Sequence, residues 1–365
     1  MTSMGNLLRV GFSFYGFLER PKHSDVVETP DGLRGERYLM VDVLLSRGHD
    51  VFQLQPRRER RLFNCGVEEF DHCYVNDEYA SPALFPELDV IFVEWRWPRM
   101  GKSTEDWDRQ VELLDHYTRV GTPIVVLDTD LKVSVTDELR WPKMIVCDPC
   151  IVPKRCTRER VKMPFCSTFE RRHRACAGSV HYRYVGNNYE RDAQFMQFVS
   201  SPAEELRHSG VQTTVHGNWL TRSVERIHPR GLLQAHPHVA FVPRLAYKDV
   251  HAALNDSVAT CHITKPEYAL HGNVTMRYFE ALAASVPALV PADCVPLRQV
   301  GDACGLLVNT HEDVVRKVRN LADMSAHDRE HLVLAQEREL RALADFSPEH
   351  RVDMIEAAAR KELSA

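Results

Sequence analysis

The residues with the clearest chemical potential lie in one short stretch, HGNVTMRYFEALAASVPALVP, which spans residues 271–291. Its pattern predicts a polar turn at Gly272 and Asn273, then an amphipathic helix, then a buried strand. The first N–H groups of a helix and the positive end of its dipole attract anions, and phosphate is the usual ligand. Arg277 would add a positive charge, and Glu280 could accept hydrogen bonds from ribose hydroxyls. The stretch therefore predicts a site for a nucleotide or a nucleotide-sugar.

Two cations of this region have a second interpretation. Lys265, shortly before the turn, would offset the charge that develops on a leaving diphosphate, or it is a solvated loop lysine. Arg277 would contact the diphosphate, or it forms a surface ion pair with Glu280, worth about 0.2–0.5 kcal/mol. In either case the helix should turn one apolar face to the core, made of Met276, Phe279, Leu282 and Ala283.

The elements that must position these residues alternate between strands and helices. In the first half we predict strands at LLRVGFSF, VFQLQ, DVIFVEW and TPIVVLD, with helices at 34–47 and 105–120. In the second half we predict strands at HYRYVGN, QTTVHGNWL, HVAFVP, SVATCHI and ACGLLVN, with helices at 193–209 and 247–255. A capped helix should begin at Pro348. Apolar strands linked by helices indicate parallel sheets covered on both faces.

The string R-x-F-E-A-L-A-x-x-x-P-A-L-V, from Arg277 to Val290, resembles the nucleotide-sugar helix of GT-B-fold glycosyltransferases. The Val185-Gly186-Asn187 segment is similar to one found in the spore-maturation type. The resemblance implies an α/β fold of two Rossmann-like doubly wound domains that face each other across a cleft, with a C-terminal crossover helix. Residues 1–165, together with the helix at 346–365, would form the acceptor domain, and residues 166–345 would form the nucleotide-sugar domain.

The same resemblance implies a hexosyl- or pentosyltransferase. Such an enzyme takes a sugar from a nucleotide diphosphate, here expected to be a UDP-sugar, and passes it to an acceptor hydroxyl. It requires no metal and no other cofactor.

Two positions depart from the family pattern. Many retaining relatives carry a second Glu eight residues before the ribose-binding one, and Gly272 stands at that position here. The turn after the helix usually contains a Gly, which Ser285 replaces. We expect a different turn at Ser285, and the retaining mechanism is left open.

In a fold of this kind the ligand lies at the carboxyl ends of the strands. The polar residues and glycines predicted at those ends are the candidate nucleotide-sugar ligands: Gly16, Asn187, Asn188, Gly217, Asn218, Arg244, Lys265, His271, Gly272, Asn273, Arg277 and Glu280.

Three carboxylates of the first half are candidates for the general base. Glu94 follows a buried strand directly and could deprotonate an acceptor hydroxyl, or it pairs with Arg96 or Arg99. Asp128 and Asp130 form a D-x-D triplet after another strand. The triplet is either a further source of the base or the metal–diphosphate motif of a metal-dependent GT-A transferase.

The segment 151–183 is strongly basic. It contains nine Lys and Arg residues against two Glu, a local net charge of +7 in a chain whose net charge is −5. A basic band suits a polyanionic acceptor, in the sharpest case duplex DNA with a hydroxymethylated base. Alternatively it is a solvated hinge surface whose arginines meet carboxylates of the same chain. A protein or glycan acceptor is equally compatible.

The composition favours a cytoplasmic protein without a membrane span. No stretch approaches the roughly 18 apolar residues that a span needs, and the N-terminus has no signal-peptide pattern. Cys147 and Cys150 have the spacing of a zinc knuckle, but no second pair accompanies them. We therefore expect reduced, mostly buried thiols for the ten cysteines.

Two other classes of function stay open. A non-catalytic nucleotide-sugar-binding or DNA-binding module would bind without turnover. A sugar-nucleotide epimerase of the same two-domain shape would turn over a UDP-sugar without any acceptor.

Overall fold

A computed structural model describes residues 7–13, 33–54, 61–64, 73–74, 85–95, 105–154, 159–217, 219, 233–242, 245 and 247–362. They form two compact domains. The first falls within residues 7–13, 34–166 and 346–362, and the second runs from Ser167 to Asp345. Within the described residues, no helix is both long enough and apolar enough to cross a membrane.

The first domain is built on a mostly parallel sheet. Its elements in chain order are β1 (Arg9–Ser13), α1 (Leu33–Ser46), β2 (Asp50–Leu54), β3 (Arg61–Asn64), β4 (Cys73–Tyr74), β5 (Val90–Glu94), α2 (Glu105–Val120), β6 (Ile124–Leu127), α3 (Val135–Arg140), β7 (Met144–Asp148) and β8 (Val161–Lys162). The strand order is β4-β3-β2-β1-β5-β6-β7-β8, and only the pairs β2–β3 and β3–β4 are antiparallel. Strands β5, β6 and β7 are buried along their whole length, as expected of a sheet covered on both faces.

The second domain contains a parallel sheet. Its elements are β9 (His181–Val185), α4 (Asp192–Phe195), a π-helical turn (Met196–Ser200), α5 (Ala203–His208), β10 (Gln212–His216), β11 (Val239–Val242), α6 (Tyr247–Asn255), β12 (Ser257–Cys261), α7 (Pro266–His271), α8 (Met276–Ala283), β13 (Ala288–Pro291), a 3₁₀ turn (Val295–Leu297), α9 (Arg298–Ala303), β14 (Leu307–Val308), α10 (His311–Asp323) and α11 (Ala326–Leu343). The order β11-β10-β9-β12-β13-β14 is that of a doubly wound dinucleotide-binding sheet.

The last helix, α12 (Pro348–Ala359), belongs to the first domain. Ser347 caps its N-terminus by accepting a hydrogen bond from the His350 N–H at 3.2 Å. Arg351 is 1% exposed, and its Nε donates to the Pro164 carbonyl at 2.7 Å. The chain thus leaves the second domain and returns to pack on the first, as the predicted crossover helix requires.

One predicted helix is interrupted. The expected helix at 193–209 consists of α4, a π-helical turn and α5. Pro202 has no N–H to give to the helical ladder, and its ring collides with the carbonyl four residues earlier. The backbone therefore widens before Pro202 and starts a new helix at Ala203.

Candidate functional site

The second sheet has a topological switch point between β9 and β12. Strands β10 and β11 extend the sheet on one side of this pair, and β13 and β14 extend it on the other. Loops leaving the carboxyl ends of two such strands diverge, which opens a crevice where ligands bind. A cavity of the second domain lies there, lined among others by Tyr184, Val185, His262, Ile263, Arg277 and Tyr278.

Helix α8 carries the candidate donor-binding residues to this crevice. It follows Thr275, whose extended backbone makes it the N-cap and whose side chain accepts no capping bond. The predicted single apolar face is wrong. Met276 is only half-buried, whereas Tyr278, Glu280 and Ala281 are buried together with the expected core residues. The helix packs against α6 and β13, so little of its circumference meets solvent.

Arg277 and Glu280 form an ion pair within α8. The sequence also allowed an ion pair on the helix surface. The pair found is only partly at the surface, because the Glu280 side chain is 2% exposed while that of Arg277 is 24% exposed. A carboxylate taken out of water requires its partner far more than a surface carboxylate does. The pair therefore fixes the Arg277 guanidinium at the rim of the crevice.

The surroundings of this pair are electropositive. His251 of α6 is buried, and its pKa is lowered to about 4, first by burial and then by the charges of Arg172, His173 and Arg277. The imidazole is therefore neutral at neutral pH, while the cations around it create a field that attracts an anion. His251 was not among the residues predicted from the sequence, because the cations around it lie in other segments of the chain.

The turn before α8 lies at Gly272 and Asn273, as the sequence predicted, but the helix that precedes this turn was not predicted. Helix α7 precedes it and ends at Gly272, which has the left-handed φ of 72°. A Cβ at Gly272 would lie 2.6 Å from the Cβ of Pro296, so a side chain at this position would collide. A Glu at position 272, where many retaining relatives carry one, would therefore not fit in this structure.

Asn273 of the predicted polar turn is buried. It is 1% exposed, and neither atom of its carboxamide has a hydrogen-bond partner among the described residues. Its carbonyl lies 3.2 Å from His262 Nε2. Burial lowers the pKa of His262 to about 4, so the neutral ring donates its Nε2–H to this carbonyl.

Lys265 lies at the edge of the same crevice. It is the N-cap residue of α7, its Nζ is 4.0 Å from the Glu190 carboxylate, and it lies 5.3 Å from the centroid of the Tyr268 ring. The lysine is thus held by a carboxylate and an aromatic face rather than extending freely into solvent. His271 is half-buried in the last turn of α7.

The loops after β9 and β10 lie against each other. Gly217 has a φ of 149°, and a Cβ there would lie 2.0 Å from the Gly186 carbonyl oxygen. Asn187 donates to the Tyr189 hydroxyl at 3.0 Å, and Asn188 donates to Asp192 at 2.9 Å. Both amides therefore stabilise the loop. The candidates Gly16, Asn218 and Arg244 lie outside the described residues.

In the first domain Glu94 ends β5, beside the switch point between β1 and β5. It is 6% exposed. Arg37 of α1 donates to both its carboxylate oxygens, at 2.9 and 2.6 Å. The sequence suggested Arg96 or Arg99 as the partner, but the pairing found is with a residue 57 positions earlier in the chain.

Asp128 is fully buried, which argues against its role as a base or as a metal ligand. Arg160 donates to it at 2.8 Å, and so do the backbone N–H groups of Lys132 at 2.6 Å and Val133 at 2.9 Å. Burial raises the pKa of Asp128, and Arg160 opposes that shift. Its carboxylate closes a turn and neutralises a buried arginine. Asp130, by contrast, is exposed.

The metal-dependent GT-A alternative is therefore wrong, since it would need a single nucleotide domain and an open D-x-D. The described residues contain no group of three or more His, Cys, Asp or Glu side chains that could hold a metal ion. Cys147 and Cys150 are buried, and burial raises the pKa of Cys147 to about 12.

Part of the basic segment is internal. Arg160 pairs with Asp128, Arg171 lies 3.4 Å from Glu337, and Arg183 lies 3.7 Å from Asp256. These arginines meet carboxylates of the same chain, as one of the two sequence hypotheses proposed. Arg172 and Arg174 are exposed.

Comparison with known proteins gives a family match and a fold match. Residues 191–357 match the family model described as glycosyl transferase-like. Among solved structures, the DNA-modifying enzyme β-glucosyltransferase has a TM-score of 0.60 at 12% identity, with 97% of this chain and 100% of that chain covered. For T4 phage β-glucosyltransferase the TM-score is 0.59 at 12% identity, with 96% and 99% covered.

An α-glucosyltransferase in complex with UDP-glucose and DNA containing an abasic site has a TM-score of 0.62 at 10% identity, with 95% of this chain and 99% of that chain covered. No curated protein sequence matches the chain. Residues 191–357 are thus similar to a glycosyltransferase family, and the fold of the chain is that of GT-B glycosyltransferase structures.

Proposed function

We propose that the second domain binds a UDP-sugar in the crevice between β9 and β12. The observation that carries this proposal is the position of Arg277, which lines the cavity at the switch point and is fixed there by the buried Glu280. Doubly wound sheets bind nucleotides at this point. The β-glucosyltransferase of the same fold uses uridine diphosphoglucose, which supports uridine as the nucleoside of the donor.

Each polar group of the crevice then has a role. Arg277 and Lys265 contact the diphosphate and stabilise the negative charge that grows on it as the sugar leaves. Glu280 accepts hydrogen bonds from the ribose hydroxyls, with its carboxylate already oriented by Arg277. The neutral His262 holds the Asn273 carbonyl, which keeps the turn before α8 in place.

The reaction we propose is an inverting transfer. A carboxylate takes the proton of the acceptor hydroxyl, the hydroxyl oxygen attacks the anomeric carbon, and the bond from that carbon to the diphosphate breaks. Gly272 stands where many retaining relatives carry a second Glu, and Pro296 occupies the space that a side chain would need. Of the predicted bases, Glu94 at the switch point of the first sheet is the one we favour, with Arg37 orienting it.

The acceptor we propose is the hydroxymethyl group of a modified base in duplex DNA. One similar structure is that of a DNA-modifying β-glucosyltransferase, and another is that of an α-glucosyltransferase bound to DNA containing an HMU base. The exposed Arg172 and Arg174 would contact phosphates. The target base would have to leave the helical stack, at a cost of a few kcal/mol.

The donor is tested by thermal-shift titrations with UDP-, GDP-, ADP- and dTDP-sugars, with and without EDTA. A ligand that binds only the folded state raises the melting temperature. We expect a shift with UDP-glucose that EDTA does not remove, that is lost in Arg277→Gln, and that persists in Arg316→Gln. Arg316 is the matched control, because it also forms an i,i+3 pair, with the more exposed Asp313. No shift with any nucleotide-sugar would overturn the donor site.

The acceptor is tested separately with radiolabelled UDP-glucose and duplex DNA, with or without 5-hydroxymethylcytosine. Label transferred only to the hydroxymethylated duplex supports the proposal. Donor binding without transfer to this DNA would overturn the acceptor alone. Conversion of the UDP-sugar to its epimer without any acceptor would favour the epimerase instead.

A further inference from the structure

A pair of histidines lies on α11, outside the donor crevice. His327 and His331 are both exposed and four residues apart, so they share one face of the helix. Their Nε2 atoms are 3.0 Å apart, and the two rings are perpendicular, with centroids 4.3 Å apart. Two ring nitrogens aimed at each other hold one proton between them in the neutral state, one donating and the other accepting.

We propose that His327 and His331 form a two-ligand site for a divalent transition metal ion such as Ni²⁺ or Zn²⁺. Imidazole nitrogen is a preferred ligand of these ions, and two histidines at i and i+4 of a helix are a known way to present it. Ligand bonds of about 2.0–2.1 Å at a tetrahedral angle separate two nitrogens by about 3.3 Å. The separation in this chain, 3.0 Å, is therefore within a few tenths of an ångström of that value. An ion bound by both nitrogens would lie off the line that joins them and would displace the shared proton to water.

The helix turn that carries the pair is rigid, which favours binding because little ordering is needed. Ser325 caps α11 by accepting a hydrogen bond from the Asp328 N–H at 3.1 Å and donating its hydroxyl to the Asp328 carboxylate at 2.7 Å. Arg329, on the buried side, donates to the Leu321 carbonyl at 3.1 Å. Both anchors leave the two histidines on the exposed side.

The sequence His327-Asp328-Arg329-Glu330-His331 has the spacing of a zinc-protease helix but different chemistry. Asp328 stands where such helices carry their general base, and it is occupied in the cap. The remaining coordination positions go to water. We therefore assign a binding role to this pair and not a hydrolytic one, with an affinity below that of a closed four-ligand site.

The test is isothermal titration calorimetry of the full chain, freed of metal with EDTA and then dialysed, with NiCl₂ and with ZnCl₂. We expect one bound equivalent of Ni²⁺, and His327→Ala or His331→Ala should each weaken it at least tenfold. His208→Ala is the control, since His208 is an exposed histidine of α5. Circular dichroism would check that the variants are folded.

Three results would overturn the proposal. The wild-type chain could take up no Ni²⁺ and no Zn²⁺. The two α11 variants could bind both ions as tightly as the wild type does. The His208→Ala variant could lose as much affinity as they do, in which case the ion lies elsewhere.

Discussion

At the residue scale, the proposed donor crevice contains a buried carboxylate whose counter-ion is partly exposed. Glu280 is nearly inaccessible, and Arg277 covers it at the rim. Removing one partner of a buried pair leaves an uncompensated charge, which costs more than the pair itself contributes. The same pair that binds the donor in our proposal thus also stabilises the fold.

We predict that Arg277→Ala lowers the free energy of unfolding by about 2–4 kcal/mol, because it strands the Glu280 charge. The double variant Arg277→Ala/Glu280→Gln should recover at least half of that loss, since no charge is then buried alone. Urea denaturation measures both. Arg316→Ala, which breaks an exposed pair of the same spacing, should cost about 0–1 kcal/mol. Equal losses for the two single variants would contradict the prediction.

Ser285 shows how one residue accommodates a turn that usually takes glycine. Ser285 adopts a left-handed φ of 58°, a conformation that ordinarily favours glycine. Its hydroxyl donates to the His173 carbonyl at 2.6 Å. That bond offsets part of the strain that a Cβ suffers in this conformation, which is about 1–2 kcal/mol.

We therefore predict that Ser285→Gly is more stable than Ser285→Ala by about 1 kcal/mol, although glycine packs fewer atoms. Both variants lose the hydroxyl, so the comparison isolates the backbone strain. Thermal unfolding of the two proteins side by side would show the difference, and an alanine variant as stable as the glycine one would refute it.

At the scale of elements, the carboxyl end of β6 is held by a buried charge network. Arg160 connects Asp128 at the end of β6 with the Val133 carbonyl at 2.9 Å and Glu138 of α3 at 3.4 Å. The network sets where the chain turns after β6 and how α3 begins. A D-x-D triplet thus serves the architecture of the first domain.

We predict that Asp128→Ala destabilises the protein by about 3 kcal/mol or more, because Arg160 loses its closest buried partner. Asp130→Ala, two residues away and exposed, should change stability by no more than about 0.5 kcal/mol. Denaturant titration of the two variants shows whether the buried Asp128 stabilises the fold more than the exposed Asp130 does. If both variants are equally stable, the network is not what holds this turn.

The helix that carries the donor residues is also anchored at its far end. The Arg172 N–H donates to the Ala283 carbonyl at 2.8 Å, and the Asn255 carboxamide donates to the Ala284 carbonyl at 2.9 Å. These donors satisfy the last carbonyls of α8, which the helix itself leaves open. The segment that enters the second domain therefore helps to fix the crevice.

At the scale of the whole molecule, buried neutral histidines make stability depend on pH. His251 and His262 have folded-state pKa values of about 4, lowered by burial from an ordinary 6.5. Below pH 6.5 the unfolded chain therefore binds protons that the folded chain does not. Their contribution is complete above pH 6.5 and is lost as the pH falls toward 4, by about 1.4 kcal/mol per pH unit for each histidine.

We predict that His262→Gln reduces the slope of unfolding free energy against pH between pH 6.5 and 4.5 by about 1.4 kcal/mol per unit. The Gln amide can still donate to the Asn273 carbonyl, so the fold should persist. Urea denaturation at several pH values gives the slope. His208→Gln, at an exposed position, should leave it unchanged, and an unaltered slope in His262→Gln would contradict the assignment.

The sequence by itself determined the alternation of strands and helices, and it pointed to the family whose model residues 191–357 match. Strands such as β5 and β6 are continuous apolar runs, and helices such as α2 and α6 begin and end where predicted, because apolar period and end signals are local properties. The R-x-F-E-A-L-A string was also visible without a structure, since a motif is a local property as well.

Only the tertiary structure decided which charges meet. Glu94 pairs with Arg37, Asp128 with Arg160, and Asn273 is buried beneath its turn. Each partner is brought in by another element, across separations that no local pattern encodes. The strand order that opens a crevice between β9 and β12 likewise depends on which strands pair. Pairing is selected by the packing of the whole domain, and that is the physical reason why candidate residues could be listed from the sequence but their arrangement could not be predicted from it.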